Sequence, residues 1–458
     1  MTTQQRTAKT AAAATQPPRQ GPRPLPLHLS SATLLWIASR SSWPLSKQGS
    51  LPWRPEIAAV ARDLEAGLAA VDPEAFGAAL DAEIARQAAA FAAGIERYRH
   101  HPYRRDVPEP AVLWQEGTTR LLDYAPPADG IHGGRRRPAV LVIPSLINRS
   151  YIFDLSAGNS LLRYLAGAGL RPLLVDWGRP DEAERRFDLT GYVAGRLDAA
   201  FEAAAERAGS PLAVAGYCMG GLLALALAER RRREVSALAL LATPWDFHAD
   251  GGPDGGGGVG QARLLGGLAA PLAAGLAPIG EVPVDVLQAL FAALDPLLAL
   301  RKFSRFAGMP PDAPGATAFV ALEDWLNDGI PLALPVAREV LADWYGGNAP
   351  ARGAWRIAGV PVRPERFDRP SLVIVPERDR IVPPASAVAL AERLPRATRL
   401  TPALGHIGMV VAGGARASVW RPLAEWLNRH GGGDGRGAPQ APRRRSAAGL
   451  AGARHSRV

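Results

Sequence analysis

The most constraining feature of this 458-residue sequence is the turn at residues 216–221, Gly-Tyr-Cys-Met-Gly-Gly. An apolar stretch typical of a strand precedes it at residues 211–215, and one typical of a helix follows at residues 222–228. A strand-to-helix turn of this kind holds one side chain exposed. The flanking glycines are needed because larger residues would collide with the neighbouring strand or helix. The pattern therefore predicts a nucleophile elbow with Cys218 in place of the usual serine.

Cys218 is also the only cysteine in the sequence. A single thiol cannot form an internal disulfide, so its role is chemical, a matter of packing, or an intermolecular contact. Without the flanking glycines, a lone cysteine would be interpreted as a small buried hydrophobe. With strand, glycines and helix in register, we predict a catalytic nucleophile. A single cysteine is also typical of a reducing compartment, so we expect a cytoplasmic protein.

The net charge of +10 lies almost entirely at the two ends of the chain. Residues 1–26 carry +4 and residues 431–458 carry +5, which leaves +1 for everything between them. This distribution argues against a specific nucleic-acid face on the body, while weak contacts of the basic ends with nucleic acid or an anionic surface stay open. Both ends lack apolar periodicity. We therefore predict a disordered or loosely ordered arm at residues 1–50 and a disordered basic tail at residues 431–458.

The distribution of apolar residues predicts an α/β protein. Residues 51–102 show three-, four- and seven-residue spacings, which indicate a helical pre-domain. Apolar strands then alternate with helices through residues 103–244 and again through 366–430, which is typical of a mostly parallel sheet covered by helices on both faces. Residues 245–365 are interpreted as a helical cap inserted after the sixth strand, over the carboxyl ends of the strands. No apolar run is long enough to span a membrane.

A thiol becomes an efficient acyl acceptor when a base takes its proton and a third group orients that base. Asp379 follows the seventh predicted strand, and His406 lies where the next strand would end. The order nucleophile, acid, histidine is typical of folds with this elbow, so these two residues are the predicted partners of Cys218. Asp246, after the sixth strand, stays open as a rival acid and His248 as a rival base.

The oxyanion that forms during attack on an acyl carbonyl needs two positioned N–H donors. The elbow supplies the backbone N–H of Met219, and the loop after the third strand is predicted to supply that of Ile147. The sequence shows no metal-ligand cluster, phosphate-binding glycine loop or dinucleotide fingerprint. The glycine-rich residues 251–260 follow a loop rather than a strand, so they are interpreted as a linker. We therefore predict neither a metal nor an organic cofactor.

Four motifs within residues 103–428 together resemble the polyhydroxyalkanoate (PHA) synthases, the cysteine members of the α/β-hydrolase fold. The elbow is similar to their Gly-x-Cys-x-Gly-Gly motif, and residues 143–155 are similar to their loop after the third strand. Residues 378–383 and 405–407 are similar to their acid and histidine motifs. One departure is Arg380, because the family usually has a histidine directly after the aspartate.

This resemblance implies an acyltransferase in which Cys218 accepts an (R)-3-hydroxyacyl group from coenzyme A. His406 is then the general base, oriented by Asp379, and it deprotonates the thiol or the incoming hydroxyl so that an ester forms and a polyester grows. The CoA thioester is a substrate in this reaction, and no cofactor is required. Three residues in or near the matching segments are predicted to bind the substrate: Asn148, Tyr217 and Trp325.

The resemblance also implies a protein that works at the surface of a polyester granule, with a homodimer or a second synthase subunit as partner. Two other functions stay open. A hydrolase of esters or thioesters, such as a polyester depolymerase, would use water as the acceptor, although hydrolases usually keep serine as nucleophile. An inactive granule scaffold would not need Cys218, Asp379 and His406 together.

Overall fold

A computed structural model describes residues 18–432, apart from residues 49, 52, 54–56, 126–130, 133–134, 209–210, 250–258 and 311. The start of the predicted arm, most of the predicted linker and almost all of the predicted basic tail therefore lie outside the described residues.

Eight strands form one twisted sheet in the order β1-β2-β4-β3-β5-β6-β7-β8. Strand β2 is antiparallel to β1 and β4, and the other neighbours are parallel. This arrangement confirms the predicted α/β-hydrolase fold. The strands are β1 Ala111–Glu116, β2 Thr119–Asp123, β3 Ala139–Ile143, β4 Arg171–Asp176, β5 Leu212–Tyr217, β6 Val235–Leu241, β7 Ser371–Ile374 and β8 Ala397–Leu400.

The helices of the described residues, numbered in chain order, are α1 Leu25–Lys47, α2 Ala58–Ala69, α3 Pro73–His100, α4 Leu161–Gly167, α5 Asp198–Ala208, α6 Met219–Arg230, α7 Val259–Gly267, α8 Ala269–Leu276, α9 Val284–Ala292, α10 Leu298–Ala307, α11 Pro314–Asn327, α12 Leu334–Glu339, α13 Pro384–Arg393, α14 Gly408–Val411 and α15 Arg421–His430. Short 3-10 turns lie at Ser150–Phe153, Glu184–Arg186 and Pro364–Arg366, and π-helical segments at Gly191–Leu197, Val340–Gly346 and Arg416–Trp420. Two-residue or three-residue strands pair at Ile131–His132 with Arg135–Arg136, Asp154–Ser156 with Asn159–Ser160, Glu281–Val282 with Leu332–Ala333, and Arg356–Ile357 with Val360–Pro361.

Helices cover both faces of the sheet. Helices α5, α6 and α13 pack on one face, and α4 and α15 pack on the other, each around its own cluster of buried apolar side chains. Strands β3 and β5 are buried along their whole length, as expected for central strands of a parallel sheet with two covered faces. Helices α7 to α12 lie between β6 and β7 in the chain, within the predicted cap at residues 245–365.

Helix α1 shows that the predicted disorder of residues 1–50 was wrong for the part of the arm that the structure describes. Ala32 of α1 is buried in a cluster with Phe91 and Phe303, and the Trp43 ring stacks on Phe76 with ring centroids 3.8 Å apart. These partners come from α3 and from the cap, and tertiary packing rather than propensity supplies most of the stability of such a helix. The local composition of the arm could not reveal contacts with such distant residues.

Helix α3 of the pre-domain packs directly on helix α10 of the cap. Gly94 lies so close to Phe303 that a Cβ at this position would collide with the Phe303 carbonyl. Arg97 donates hydrogen bonds to the main-chain carbonyls of Phe306, at 2.9 Å, and Ala307, at 3.2 Å. The last carbonyls of a helix have no intrahelical donor, so this arginine completes the end of α10. The pre-domain is therefore attached to the cap as well as to the sheet domain.

Candidate active site

The elbow between β5 and α6 has the backbone geometry that the glycine pattern predicts. Cys218 has φ of 54° and ψ of −129°, a strained conformation for a residue with a side chain. The Cys218 N–H donates to the Leu241 carbonyl at 2.9 Å, which ties the turn to β6. A Cβ on Gly216, Gly220 or Gly221 would overlap the opposite arm of the elbow, the end of β3, or Thr243, respectively. Close main-chain packing therefore holds the cysteine in its strained turn.

His406 and Asp379 meet next to this cysteine. The Nδ1 atom of His406 lies 2.7 Å from Oδ2 of Asp379, and the Cys218 side chain is close enough to the imidazole to raise its pKa. The other carboxylate oxygen of Asp379 accepts the N–H groups of Ile381, at 2.9 Å, and Val382, at 2.8 Å. Both side chains are almost completely buried. The structure thus brings the three predicted catalytic residues together, with the carboxylate fixed by its own loop.

The electrostatics of this group favour a charged imidazole. Burial opposes the charged form of His406, but the facing Cys218 thiolate and the Asp379 carboxylate outweigh it and raise the pKa of His406 above its ordinary value. Asp379 also selects the tautomer, because a carboxylate oxygen at Nδ1 requires a proton there. The electrostatics therefore favour an imidazolium at His406, beside the predicted cysteine nucleophile.

The rival acid and base lie elsewhere. One oxygen of Asp246 accepts the His248 N–H at 2.9 Å and the Asn348 amide at 2.8 Å. Nε2 of His248 lies 2.7 Å from the main-chain carbonyl of Tyr345. Both side chains are therefore engaged in holding a cap segment to the loop after β6, and neither contacts the Asp379–His406 pair.

The two predicted oxyanion donors differ in their surroundings. Met219 is the first residue of α6, so its N–H belongs to the group of helix-terminal amides that have no intrahelical acceptor. The Ile147 N–H instead donates to the Ser145 hydroxyl at 3.3 Å. This hydrogen bond occupies the N–H group that is predicted to bind the oxyanion. The distance is at the long end for such a bond, and the hydroxyl would have to be displaced before Ile147 could bind an oxyanion.

Tyr217 and Trp325 are both buried, and their polar atoms are bonded within the protein, so their contact with substrate stays a prediction. The Tyr217 hydroxyl donates to the His406 carbonyl at 3.2 Å, and its ring packs on the imidazole with centroids 5.0 Å apart. Trp325 Nε1 donates to the Arg149 carbonyl at 2.8 Å. The sequence correctly places both residues close to the catalytic motifs. Their burial depends on the cap and on the loop that carries His406, which are distant in the sequence.

Asn148 is the predicted substrate-binding residue that keeps an unused polar atom. It forms a β-bridge with Gly329 of the cap. Its Oδ1 atom is buried and has no hydrogen-bond partner among the described residues. A buried acceptor of this kind costs free energy unless a partner arrives, so Asn148 is able to accept a hydrogen bond from a bound molecule.

Tyr345 is a residue near the nucleophile that the sequence analysis missed. Burial raises the pKa of its phenol to about 12. The charge of Cys218 adds to this shift, because the ring lies close to the thiol. Its ring packs edge-on against Phe247 with centroids 4.9 Å apart. Trp344 and Tyr345 stand together in an apolar helical stretch, and such a pair is indistinguishable from ordinary core residues in the sequence.

Two further observations concern the described part of the chain as a whole. No group of three or more His, Cys, Asp or Glu side chains is arranged there to hold a metal ion. None of the described helices combines the length and the apolar character that crossing a membrane requires.

Known proteins show the same relationship as the motifs. Residues 107–165 match the family described as Poly-beta-hydroxybutyrate polymerase (PhaC) N-terminus. The chain is 29% identical over 324 residues to the poly(3-hydroxyalkanoate) polymerase subunit PhaC of Haloarcula marismortui, covering 69% of this chain and 67% of that protein. With the subunit of the same name from Synechocystis sp. it shares 30% identity over 295 residues, covering 63% of this chain and 77% of the relative. The chain belongs to the poly(3-hydroxyalkanoate) polymerase family.

Membership in this polymerase family confirms the resemblance that the elbow, acid and histidine motifs indicated. Among solved structures, the monoacylglycerol lipase of Paleococcus ferrophilus aligns with a TM-score of 0.42 and 17% identity, covering 68% of this chain and 99% of the lipase. For this polymerase family member, the roles of individual residues stay predictions that the geometry described above supports.

Proposed function

We propose that this protein is a poly(3-hydroxyalkanoate) synthase, an acyltransferase that builds a polyester from (R)-3-hydroxyacyl-CoA. The observation that carries the proposal is the contact of His406 with both Asp379 and the strained Cys218, in a chain of the polymerase family. Cys218 is the nucleophile, His406 the general base and acid, and Asp379 the group that orients it.

In the acylation step, the Cys218 thiolate attacks the thioester carbonyl of the substrate. The Met219 and Ile147 amides stabilise the oxyanion once the latter has exchanged its Ser145 partner for the substrate oxygen. The tetrahedral intermediate then collapses. The carbon–sulfur bond to coenzyme A breaks, and the CoA thiolate leaves with the proton of the His406 imidazolium. One thioester replaces another, so the acyl group stays activated.

In the elongation step, a hydroxyl group is the nucleophile. His406, now neutral, takes the proton of the hydroxyl as its oxygen attacks the acyl group on Cys218. An ester bond forms, the carbon–sulfur bond to Cys218 breaks, and the thiolate–imidazolium pair is restored. The buried Oδ1 atom of Asn148 is a suitable acceptor for a substrate hydroxyl or amide N–H. Water in place of the hydroxyl would give hydrolysis instead.

The setting of the reaction is part of the proposal. The substrate is a CoA thioester, no further cofactor is used, and the product is insoluble, so the enzyme works in the cytoplasm at the surface of a polyester granule. A homodimer or a second synthase subunit is the proposed protein partner. The near-neutral body of the chain supports the absence of a specific nucleic-acid partner.

The test is to incubate the purified protein with (R)-3-hydroxybutyryl-CoA, to measure CoA release with a thiol reagent, and to identify the product. We expect CoA release with insoluble polyester, loss of turnover in Cys218→Ala, and nearly unchanged turnover in His248→Ala. Stoichiometric free acid would instead show a hydrolase. No CoA release with substrates of any chain length would contradict the acyltransferase and favour a scaffold.

A further inference from the structure

The end of helix α11 in the cap is bonded to the loop that follows β3. We call residues 145–150 the oxyanion loop, because this loop contains the Ile147 amide. Trp325 Nε1 donates to the Arg149 carbonyl at 2.8 Å, and the Ile330 N–H donates to the Ile147 carbonyl at 3.3 Å. Between these two bonds, Gly329 forms a β-bridge with Asn148. Fixing the carbonyls of residues 147 and 149 restricts the backbone on the carboxyl side of the Ile147 amide.

The same end of α11 is held by the N-terminal arm and the pre-domain. The Arg19 guanidinium forms a two-pronged ion pair with Asp324, with distances of 2.6 Å from Nε to Oδ1 and 2.7 Å from Nη2 to Oδ2. Its remaining donors reach the main-chain carbonyls of His101 and Tyr103, each at 2.6 Å. The Tyr98 hydroxyl donates to Oδ1 of Asp324 at 2.9 Å. One arginine therefore joins the N-terminal segment, the end of α3 and the cap.

This ion pair is unlike an ordinary surface salt bridge. The Arg19 side chain is only 8% exposed and that of Asp324 is 24% exposed. Two-pronged arginine–carboxylate pairs fix orientation as well as distance, and partial burial reduces the screening that weakens exposed pairs. Asp324 directly precedes Trp325, so the position of the pair sets the position of the indole that holds the oxyanion loop.

We propose that Arg19, Asp324 and Trp325 are positioning residues for the acylation step. The N-terminal arm and the pre-domain fix the end of α11, α11 fixes the oxyanion loop, and the loop presents the Ile147 amide to the developing oxyanion. This inference rests on the proposed function, because it assumes that Cys218 forms an acyl-enzyme. It assigns the N-terminal segment a role in a chemical step that takes place on the other side of the cap.

The long bond from the Ile147 N–H to the Ser145 hydroxyl makes this positioning matter. The amide exchanges that bond for the substrate oxygen during the reaction, so its energy depends on small displacements of the loop. A misplacement of about 1 Å at a reacting group can cost on the order of a hundredfold in rate. The loss of one oxyanion donor costs roughly 100- to 1,000-fold. A change that lets α11 shift should therefore slow acylation measurably, although by less than these factors.

The experiment compares two reactions of Cys218 in the full chain. Acylation by p-nitrophenyl acetate, followed as a burst of nitrophenolate, needs the thiolate and the oxyanion donors. Alkylation by iodoacetamide needs the thiolate alone, because no oxyanion forms. The first variant is Trp325→Phe, which keeps an aromatic ring and removes the N–H donor. The second is Arg19→Lys, which keeps the positive charge and removes the two-pronged hydrogen bonding. The control is Arg40→Ala, which breaks the exposed ion pair between Arg40 of the N-terminal arm and Asp81 of the pre-domain.

We expect both variants to lose about tenfold in the acylation rate constant, with alkylation within about twofold of the wild type. The control should match the wild type in both reactions. An unchanged acylation rate would overturn the proposal, and so would an equal loss in both reactions, because the cysteine–histidine pair itself would then be affected. If Trp325→Phe fails to fold, Asp324→Asn provides the same comparison while retaining an acceptor for Tyr98.

The probe also separates this inference from the proposed function. Neither p-nitrophenyl acetate nor iodoacetamide requires coenzyme A or a hydroxyl acceptor. A wild type that acylates but releases no CoA from hydroxyacyl-CoA would contradict the synthase function and leave the positioning result standing. A wild type that alkylates normally but gives no nitrophenolate burst would overturn the positioning inference, and the CoA-release assay would decide the synthase function separately.

Discussion

Around Cys218, main-chain atoms pack against one another. The cap, in contrast, is joined to the rest of the chain by ion pairs and hydrogen bonds of charged and polar side chains. Gly220 lies against the carbonyls at the end of β3, with no space for a Cβ. Glu281 of the cap binds Arg179 and Arg185, which follow β4, at 2.9 and 3.0 Å. Main-chain packing has almost no freedom to adjust, while ion pairs exchange partners readily. The catalytic turn therefore depends on close packing, whereas these contacts of the cap depend on charge.

The largest expected effect tests the rigid region through Asp379→Asn. An Asn side chain can still accept the N–H groups of Ile381 and Val382, but its amide would donate to Nδ1 of His406 and select the wrong tautomer. We expect CoA release to fall by about 1,000- to 10,000-fold in kcat/KM, by analogy with serine triads, with little change in Tm. Asp246→Asn is the control and should stay within about twofold. Equal losses in the two variants would show that the acid is wrongly assigned.

Gly220→Ala tests the claim that the elbow cannot adjust. The new Cβ would collide with main-chain carbonyls of Ile143 and Pro144, which have no rotamer with which to move away. We expect destabilisation of about 4 kcal/mol or no folded protein, measured by thermal and urea unfolding. Gly275→Ala in cap helix α8 has open space and should be neutral or stabilising by up to about 1 kcal/mol. Similar stability of the two variants would remove the contrast.

Lys302→Met tests the role of charge in the cap. Lys302 Nζ lies 2.7 Å from Oε1 of Glu323, whose side chain is only 3% exposed. Removing the lysine leaves a buried carboxylate without its counter-ion, so we expect a loss of about 3 kcal/mol in unfolding free energy. The double variant Lys302→Met with Glu323→Gln should recover most of it. A single variant within about 0.5 kcal/mol of the wild type would show that packing alone holds this helix pair.

The smallest expected effect concerns Glu339 and pH. Burial, together with the nearby Asp188 carboxylate, raises the pKa of Glu339 from 4.5 to about 7. The native state therefore keeps a proton that the unfolded chain releases, and the wild type loses stability as pH rises from about 4.5 through 7. Glu339→Gln should raise Tm by about 2 °C at pH 8 and leave it unchanged at pH 4. An equal change at both pH values would contradict a titration effect.

The sequence predicted the sheet and the placement of the catalytic residues because the signals for them are local. Each strand end is defined by its own apolar run, and the glycines around Cys218 act on immediate neighbours. The fold is confirmed, and Cys218, Asp379 and His406 lie together, although their roles stay predictions until variants are assayed.

Other features escaped prediction because distant contacts decide them. Helix α1 depends on aromatic partners in α3 and the cap, so its composition alone indicated disorder. Tyr217 and Trp325 stand next to catalytic motifs, yet their polar atoms are directed to the carbonyls of His406 and Arg149. The engagement of the Ile147 amide by Ser145 depends on the conformation of one loop. No periodicity or spacing in a single sequence encodes such orientations.

The close fit of Gly94 against Phe303 has a consequence for folding during synthesis on the ribosome. Helix α3 is synthesised roughly two hundred residues before the helix on which it rests, as the separation of 209 residues between Arg97 and Phe306 illustrates. Until then, its aromatic side is exposed to water and to other nascent chains. Such delayed docking slows folding and favours aggregation, because contacts distant in sequence form late. Overproduction should therefore yield more native protein when chaperones that bind nascent chains are abundant.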